Sequence, residues 1–344
     1  MYCAFVDTSK AFDKVLHNGL FVKLKKNVSC RLVLLLQNWY GKLHASVLWN
    51  GIMGPIFVIH CGVRQGGILS PLLFARYIDD LLNELRISGY AVHIGRLFVG
   101  AIAYADDICI LSCSCYGMQK MLDICAEYGI TWDIRFNPAK SQLLTIGGRA
   151  PINSTMRLGK NFVQWVSTVK YLALHLIGGK DFKLDFTAVK RKYYGGFNII
   201  KTTVGRQVNE IMLLHLIKTY CLPRLLYSCE IWPLNTVNMH EFDVIWNNYY
   251  RHVFNCCWQE SVKPLENYCE SLPVSYLVYE RQLLFFRKLS CSNNTILRAI
   301  VTLPMVRYEA LRLASMFNID LFGNCSAVSI KSAIWCSFIS RIVF

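Results

Sequence analysis

The sequence predicts an α+β chain: short strands alternating with helices in the first half, and helices in the second. Three observations carry that expectation. Apolar runs such as YCAFV (2–6), FVGAIA (98–103) and ICILS (108–112) are too short and too β-branched for helices. Residues 73–85 place their apolar side chains at helical spacing, and beyond residue 183 the pattern turns helical. At 344 residues the chain is also long enough to bury more than one core.

The elements follow in order. Residues 2–6 read as a buried strand, and 20–24 and 30–41 as helices. The uncharged stretch 43–63 has the length of a membrane span, but it holds His44, Asn50, Pro55 and His60. Asn50-Gly51 between apolar runs is a hairpin signal, so a β-hairpin over 45–60 is expected and no membrane segment. After GVRQGG a helix is expected with Ser70 as N-cap and Pro71 at its first turn, stopped by Gly89. Its stripe is Leu73, Phe74, Tyr77, Ile78, Leu81, Leu82 and Leu85. A Gly/Pro/Asn-rich break covers 147–155, and a hairpin at Gly159-Lys160 leads into the KYLAL strand.

Charge narrows the partners. Lys and Arg total 37 against 22 Asp and Glu, a net +15, although only 17% of the chain is charged. Such a lean favours a polyanion, nucleic acid first. Fifteen cysteines show no C-x-x-C and no paired His spacing, so they read as reduced, mostly buried thiols in a reducing intracellular compartment, cytoplasm or nucleus. MYCAFVDTSK has no basic segment followed by an apolar core, so it is not a signal peptide.

Two tetrapeptides carry paired acids, YIDD (77–80) and YADD (104–107). Asp79 and Asp80 fall opposite the apolar stripe of their helix, where water suffices for them. YADD lies between two strands, so its carboxylates cap a tight hairpin at Ala105-Asp106-Asp107. Acids crowded there are costly unless a cation neutralises them, although an Asp-rich turn without an ion fits the window equally well. Asp7 ends the first strand. If that strand pairs beside the 98–112 hairpin, Asp7 and Asp106 meet in an all-oxygen site suited to Mg²⁺.

Taken in order, FVDTSKAFDKV, GVRQGGILSPLLF, YADD and FNPAKS resemble motifs A, B, C and D of reverse transcriptases. The flanking text is most similar to LINE-type (non-LTR) retrotransposons. VKYLALHL (169–176) resembles motif E, the primer grip, with Ala173 where glycine is usual, and the likeness runs to about residue 290. Five motifs in family order are far more specific than one YADD.

The resemblance implies a polymerase palm, an antiparallel sheet with helices on one face, followed by a helical thumb. It implies an RNA-directed DNA polymerase joining dNTPs to a DNA primer on an RNA template, with two Mg²⁺ ions (or Mn²⁺) as cofactors. Asp7 and Asp106 are then metal ligands, with the Thr8 carbonyl added and Asp107 as supporting carboxylate. Phe12 is the steric gate against a 2′-hydroxyl, and Gln65 and Gly66 face the nascent base pair. Lys140 serves the departing pyrophosphate, and Tyr171 and Leu172 contact primer and template. Lys190, Arg191 and Lys192, within a segment holding Lys183, Lys201 and Arg206 against only Asp185, grip duplex phosphates.

The implied divisions are 1–147 palm, 148–182 primer-grip hairpin, 183–260 thumb and 261–344 a helical region without assigned role. Because Asp7 stands so near the start, the expectation is a palm and thumb cut at the N-terminus, with fingers largely missing and activity of the isolated chain lowered. Two other readings stay open: a remnant that only binds nucleic acid, and another palm polymerase. Phe12 and Gln65-Gly66 speak against an RNA polymerase, and the text after the thumb against an intron maturase. Oligomeric state is not legible in the sequence.

Overall fold

Side chains alternate across Tyr2–Val6, and both faces find apolar company. Ala4 and Val6 join a core with Ile108, Ile110 and Leu143, while Cys3 and Phe5 join another with Leu111 and Leu144. A strand apolar on both sides belongs inside a sheet covered twice. The computed structural model places it so, and describes residues 1–148, 155–205, 209–233, 236–323 and 325–342. Six strands run in the order Met156–Leu158, Asn161–Trp165, Gln142–Thr145, Tyr2–Val6, Asp107–Ser112, Ala101–Tyr104.

Within this sheet one pair departs from the expected antiparallel pattern: Asn161–Trp165 lies parallel to Gln142–Thr145. The chain first makes Met156–Leu158 and turns at Gly159-Lys160, so the returning strand meets the edge in the same direction. That hairpin is therefore part of the main sheet, where the sequence reading grouped it with 148–182. Residues 149–154 of the expected break, like Arg206, lie outside the described residues.

Helices His17–Leu24, Cys30–Gly41, Ser70–Ile87 and Cys115–Trp132 share one core with the Ala4 face, through Leu20, Val33, Phe74, Leu81 and Leu122. The opposite face is covered by a three-stranded sheet of Thr168–Tyr171, Leu174–Ile177 and Lys183–Asp185, which contributes Val169 and Leu176. Residues 183–185 are thus strand, and the helical half begins after them. The 43–63 stretch forms the expected hairpin: His44–Ala45 pairs with Phe57–Val58, and Leu48–Trp49 with Ile52–Met53. Asn50 and Gly51 both take positive φ, +47° and +79°, as a two-residue hairpin turn requires.

Three expectations need correction. Ser70 does not cap its helix: Leu69 holds the cap position, and the Ser70 hydroxyl instead donates to the Arg64 carbonyl. That bond closes the loop carrying Gln65 and Gly66. Asp79 and Asp80 are ion-paired rather than merely hydrated. Asp79 meets Arg76 at 2.8 Å, and Asp80 meets Lys26 at 3.4 Å and Lys23 at 3.7 Å. Lys23 is the surprise, only 3% exposed, its ammonium donating to the Tyr77 carbonyl and lying 3.8 Å from the Trp132 ring centroid.

The third correction concerns the thiols. None of the fifteen forms a disulfide, but only Cys3, Cys109, Cys125, Cys221 and Cys229 are buried, and six are exposed. Cysteine is small enough to sit off an apolar stripe at little cost, as Cys336 does beside Ile330, Ile334 and Phe338.

The chain divides into two compact units, Met1–Asp185 and Phe186–Phe344. The second is helical, with Thr187–Val204, Glu210–Tyr220, Thr236–Phe254 and Val274–Ser290 its longer early helices. Its later helices gather Leu283, Leu313, Ile330, Ile334 and Phe338 into one core. Among the described residues no helix is long and apolar enough to cross a membrane.

Candidate active site

The register of two strands builds the site. Val6 pairs with Ile108, so one antiparallel step further sets Asp7 beside Asp107. Both follow the face of Phe5 and Cys109, since side chains repeat every second residue. Tyr104 pairs with Asp107 across a two-residue turn of Ala105 and Asp106, with Ala105 at φ +52°. The turn is one residue tighter than the sequence suggested: Asp106 alone tips it, and Asp107 opens the strand. Its partner strand starts at Ala101 rather than Phe98. Gly100 packs so tightly that a Cβ there would lie 2.3 Å from that of Ala91, and Leu97–Phe98 pairs instead with His93–Ile94.

Three polar contacts fix the Asp7 backbone. Its N–H donates to Ser141 Oγ at 3.1 Å, its carbonyl accepts from the Asn137 N–H at 2.8 Å, and Ser141 Oγ donates to the Asn137 carbonyl at 2.8 Å. Next door, Thr8 Oγ1 donates to the Asp106 carbonyl at 3.4 Å. FNPAKS thus braces the first carboxylate, a role the sequence reading missed by looking only at Lys140. The signal was there: Asn-Pro opens a turn in which the Ala139 N–H donates to Asn137 Oδ1, and it delivers Ser141 four residues on.

The electrostatics ask for a cation. Burial, then Asp106, then Asp7 push the Asp107 carboxyl above the usual carboxylate range. Asp7 Oδ2 is buried with no hydrogen-bond partner. Among the described residues no ion pair involves Asp7, Asp106 or Asp107. An orphaned carboxylate oxygen among like charges fits a divalent ion. Among the described residues no three His, Cys, Asp or Glu side chains already form a cage for one ion. Mg²⁺ needs none, since one or two carboxylates, waters and substrate phosphates complete its shell.

The other sequence-derived residues cluster around this centre to different degrees. The Val63 N–H donates to the Phe12 carbonyl at 2.7 Å, the Gly62 N–H to the Val15 carbonyl at 2.8 Å, and Gln65 Nε2 to Asp13 Oδ1 at 3.1 Å. Motif A and the motif B loop are therefore one piece. Gly66 sits at φ +79° in open space, a conformation glycine takes freely. Phe12 is half-buried, stacked on Phe74 with centroids 5.0 Å apart. Lys140 is exposed in the turn before Ser141.

Tyr171 turns inward, its ring 5.0 Å from that of Phe5. Leu172 and Ala173 then make a turn with φ of +45° and +65°. An alanine held there is strained, so Ala173→Gly is expected to raise stability by about 0.5–1 kcal/mol in urea unfolding. No gain, or a loss, would mean the turn relaxes at no cost. In the helical unit Lys190 pairs with Glu241, whereas Arg191 and Lys192 are exposed.

A carboxylate-bearing hairpin set beside a third acid at the end of a central strand is the arrangement that metal-assisted phosphoryl transfer of the polymerase kind calls for. The chain belongs to the reverse transcriptase (RNA-dependent DNA polymerase) family, which matches residues 1–176. The RNA-directed DNA polymerase from mobile element jockey of Drosophila funebris is 24% identical over 272 residues, covering 76% of this chain and 29% of that protein. The polyprotein of type-2 retrotransposable element R2DM of Drosophila melanogaster is 30% identical over 191 residues, covering 55% of this chain and 18% of that one. The resemblance to non-LTR retrotransposon polymerases is thereby borne out. The chain spans about a third or less of the length of these relatives. Among solved structures, telomerase of Candida tropicalis with the TWJ fragment of telomeric RNA covers 92% of this chain and 49% of its own at 10% identity. Its TM-score of 0.41 is too low to bear on the site.

Proposed function

We propose that this chain is the polymerising part of an RNA-directed DNA polymerase, adding dNTPs to a DNA primer 3′-hydroxyl on an RNA template. The observation that carries the reading is the strand register that brings Asp7 beside Asp107, with Asp106 at the adjoining turn. Asp7 and Asp106 would hold two Mg²⁺ ions, with the Thr8 carbonyl added. Bound there, such ions neutralise charge on the attacking 3′-oxygen and on the departing pyrophosphate.

The chain's own residues do the rest. Asp107 keeps the local field negative enough to draw the ions in. Phe12, backed by Phe74, presents a ring that leaves no room for a 2′-hydroxyl. Gln65, anchored on Asp13, and Gly66 shape the floor beneath the new base pair. Lys140 offers a cation to the leaving pyrophosphate. Arg191 and Lys192 supply exposed charge for duplex phosphates, so affinity falls as salt rises.

Primer extension on an RNA template tests this. With Mg²⁺ the chain should incorporate dNTPs in preference to rNTPs, and chelation should stop it. Salt-sensitive RNA binding without any incorporation would leave only a nucleic-acid-binding remnant.

A further inference from the structure

On the sheet face of the carboxylates lies a buried polar group whose expected contact to primer the structure does not account for. The Tyr171 hydroxyl is buried and has no hydrogen-bond partner. A phenol left so costs about 1–3 kcal/mol, so a partner is expected in the working state. Its ring rests on Phe5 at 5.0 Å with planes tilted by 55°. Phe5 is the cross-strand partner of Cys109, and both lie on the sheet face that carries Asp7 and Asp107, one side-chain repeat away.

The surroundings agree. Burial, then Cys109, then Asp107 push the Tyr171 phenol up to about 12, which keeps it a proton donor at neutral pH. The turn that follows, Leu172 and Ala173 at positive φ, retains strain of roughly 1 kcal/mol per residue to hold the hairpin tip as it is. Strain of this kind gathers where a side chain must be aimed.

We propose that Tyr171 is a positioning residue whose hydroxyl serves Asp107 as hydrogen-bond donor, tying the hairpin of Thr168–Tyr171 and Leu174–Ile177 to the Asp106 turn. This rests on the polymerase reading of the site. It gives Tyr171 a place under the carboxylates instead of a contact to the primer. Its loss acts through Asp107, as partners behind metal-binding groups generally do.

Mn²⁺ binding to the full chain, followed by the EPR signal of free ion without nucleic acid, tests this apart from activity. Tyr171→Phe keeps the ring and should bind Mn²⁺ about tenfold more weakly, with template–primer affinity within about twofold of wild type. Its thermal midpoint should hold or rise, because an unpartnered hydroxyl is removed. Unchanged Mn²⁺ affinity in Tyr171→Phe overturns the proposal, as does weakened primer binding with Mn²⁺ affinity intact. Asp106→Asn separates the two levels. If it too binds Mn²⁺ like wild type, the site assignment falls; if it alone loses the ion, only the role of Tyr171 falls.

Discussion

Asp7→Asn and Asp106→Asn are each expected to lower RNA-templated incorporation on the order of 10³-fold or more, with the fold intact. Asparagine keeps the shape and removes the charge that draws in a divalent ion. In the ion-free protein that charge is a liability: Asp106 and Asp7 both raise the proton affinity of Asp107, and Asp7 Oδ2 is buried without a partner. The thermal midpoint of either variant should therefore equal or exceed that of wild type without added metal. Mg²⁺ should stabilise wild type and not the variants. Activity lost while stability is kept is the signature of a charge held for chemistry. Asp79→Asn is the internal control, because its carboxylate meets Arg76 on an outer helix face. It should incorporate within about twofold of wild type, as surface ion pairs are worth little. Incorporation by Asp7→Asn within threefold of wild type would falsify the assignment.

The local parts of this site were legible because local rules govern them. A five-residue apolar run ending in Asp7 reads as a strand, two apolar runs around YADD read as a hairpin, and Asn50-Gly51 reads as a turn. The family was legible as a resemblance, carried by the text of motifs A to E in their order. What the sequence hid were partners distant along the chain. Ser141 braces Asp7 across 134 positions, and Lys23 reaches Tyr128 across 105. Nothing in LFVKLKK distinguishes the buried lysine from its two solvated neighbours. Only the packing of three helices and their aromatic rings around Lys23 does so. Ser70 failed as a cap for a local reason: its hydroxyl donates to the Arg64 carbonyl of the preceding loop, six residues back. The parallel pair was hidden too, because the direction of a returning strand depends on a hairpin whose docking no pattern announces.

The stability of the helical unit should fall as pH rises from about 5 to about 8, and Glu266→Gln should remove most of that fall. Glu266 is 1% exposed, and its Oε1 has no partner. Burial first, then Asp243, push its carboxyl up to about 8, with Lys263 pulling weakly the other way. Asp243 moves up as well, chiefly by burial, although the Ser275 N–H donates to it. The folded state thus holds a proton that the unfolded chain releases near the ordinary glutamate value. Between those two values unfolding releases a proton, so each rise in pH favours the unfolded state. The total is on the order of 2–4 kcal/mol, less where the site relaxes to admit water. Urea unfolding at pH 5, 6.5 and 8, followed by thiol protection of buried Cys229, measures it within this unit. Lys23 supplies the opposite sign in the other unit. Burial lowers its ammonium to about 8, against the pull of Asp80, so its own contribution grows from pH 8 to 10.5. The thiols of Cys3 and Cys125, held up to about 11 and about 12 by burial, work against it there, so the alkaline loss of stability should be steeper in Lys23→Met than in wild type, read at buried Cys125. A Lys23→Met profile parallel to wild type, or a Glu266→Gln profile as steep as wild type, would show that these buried groups are hydrated and not held apart from water.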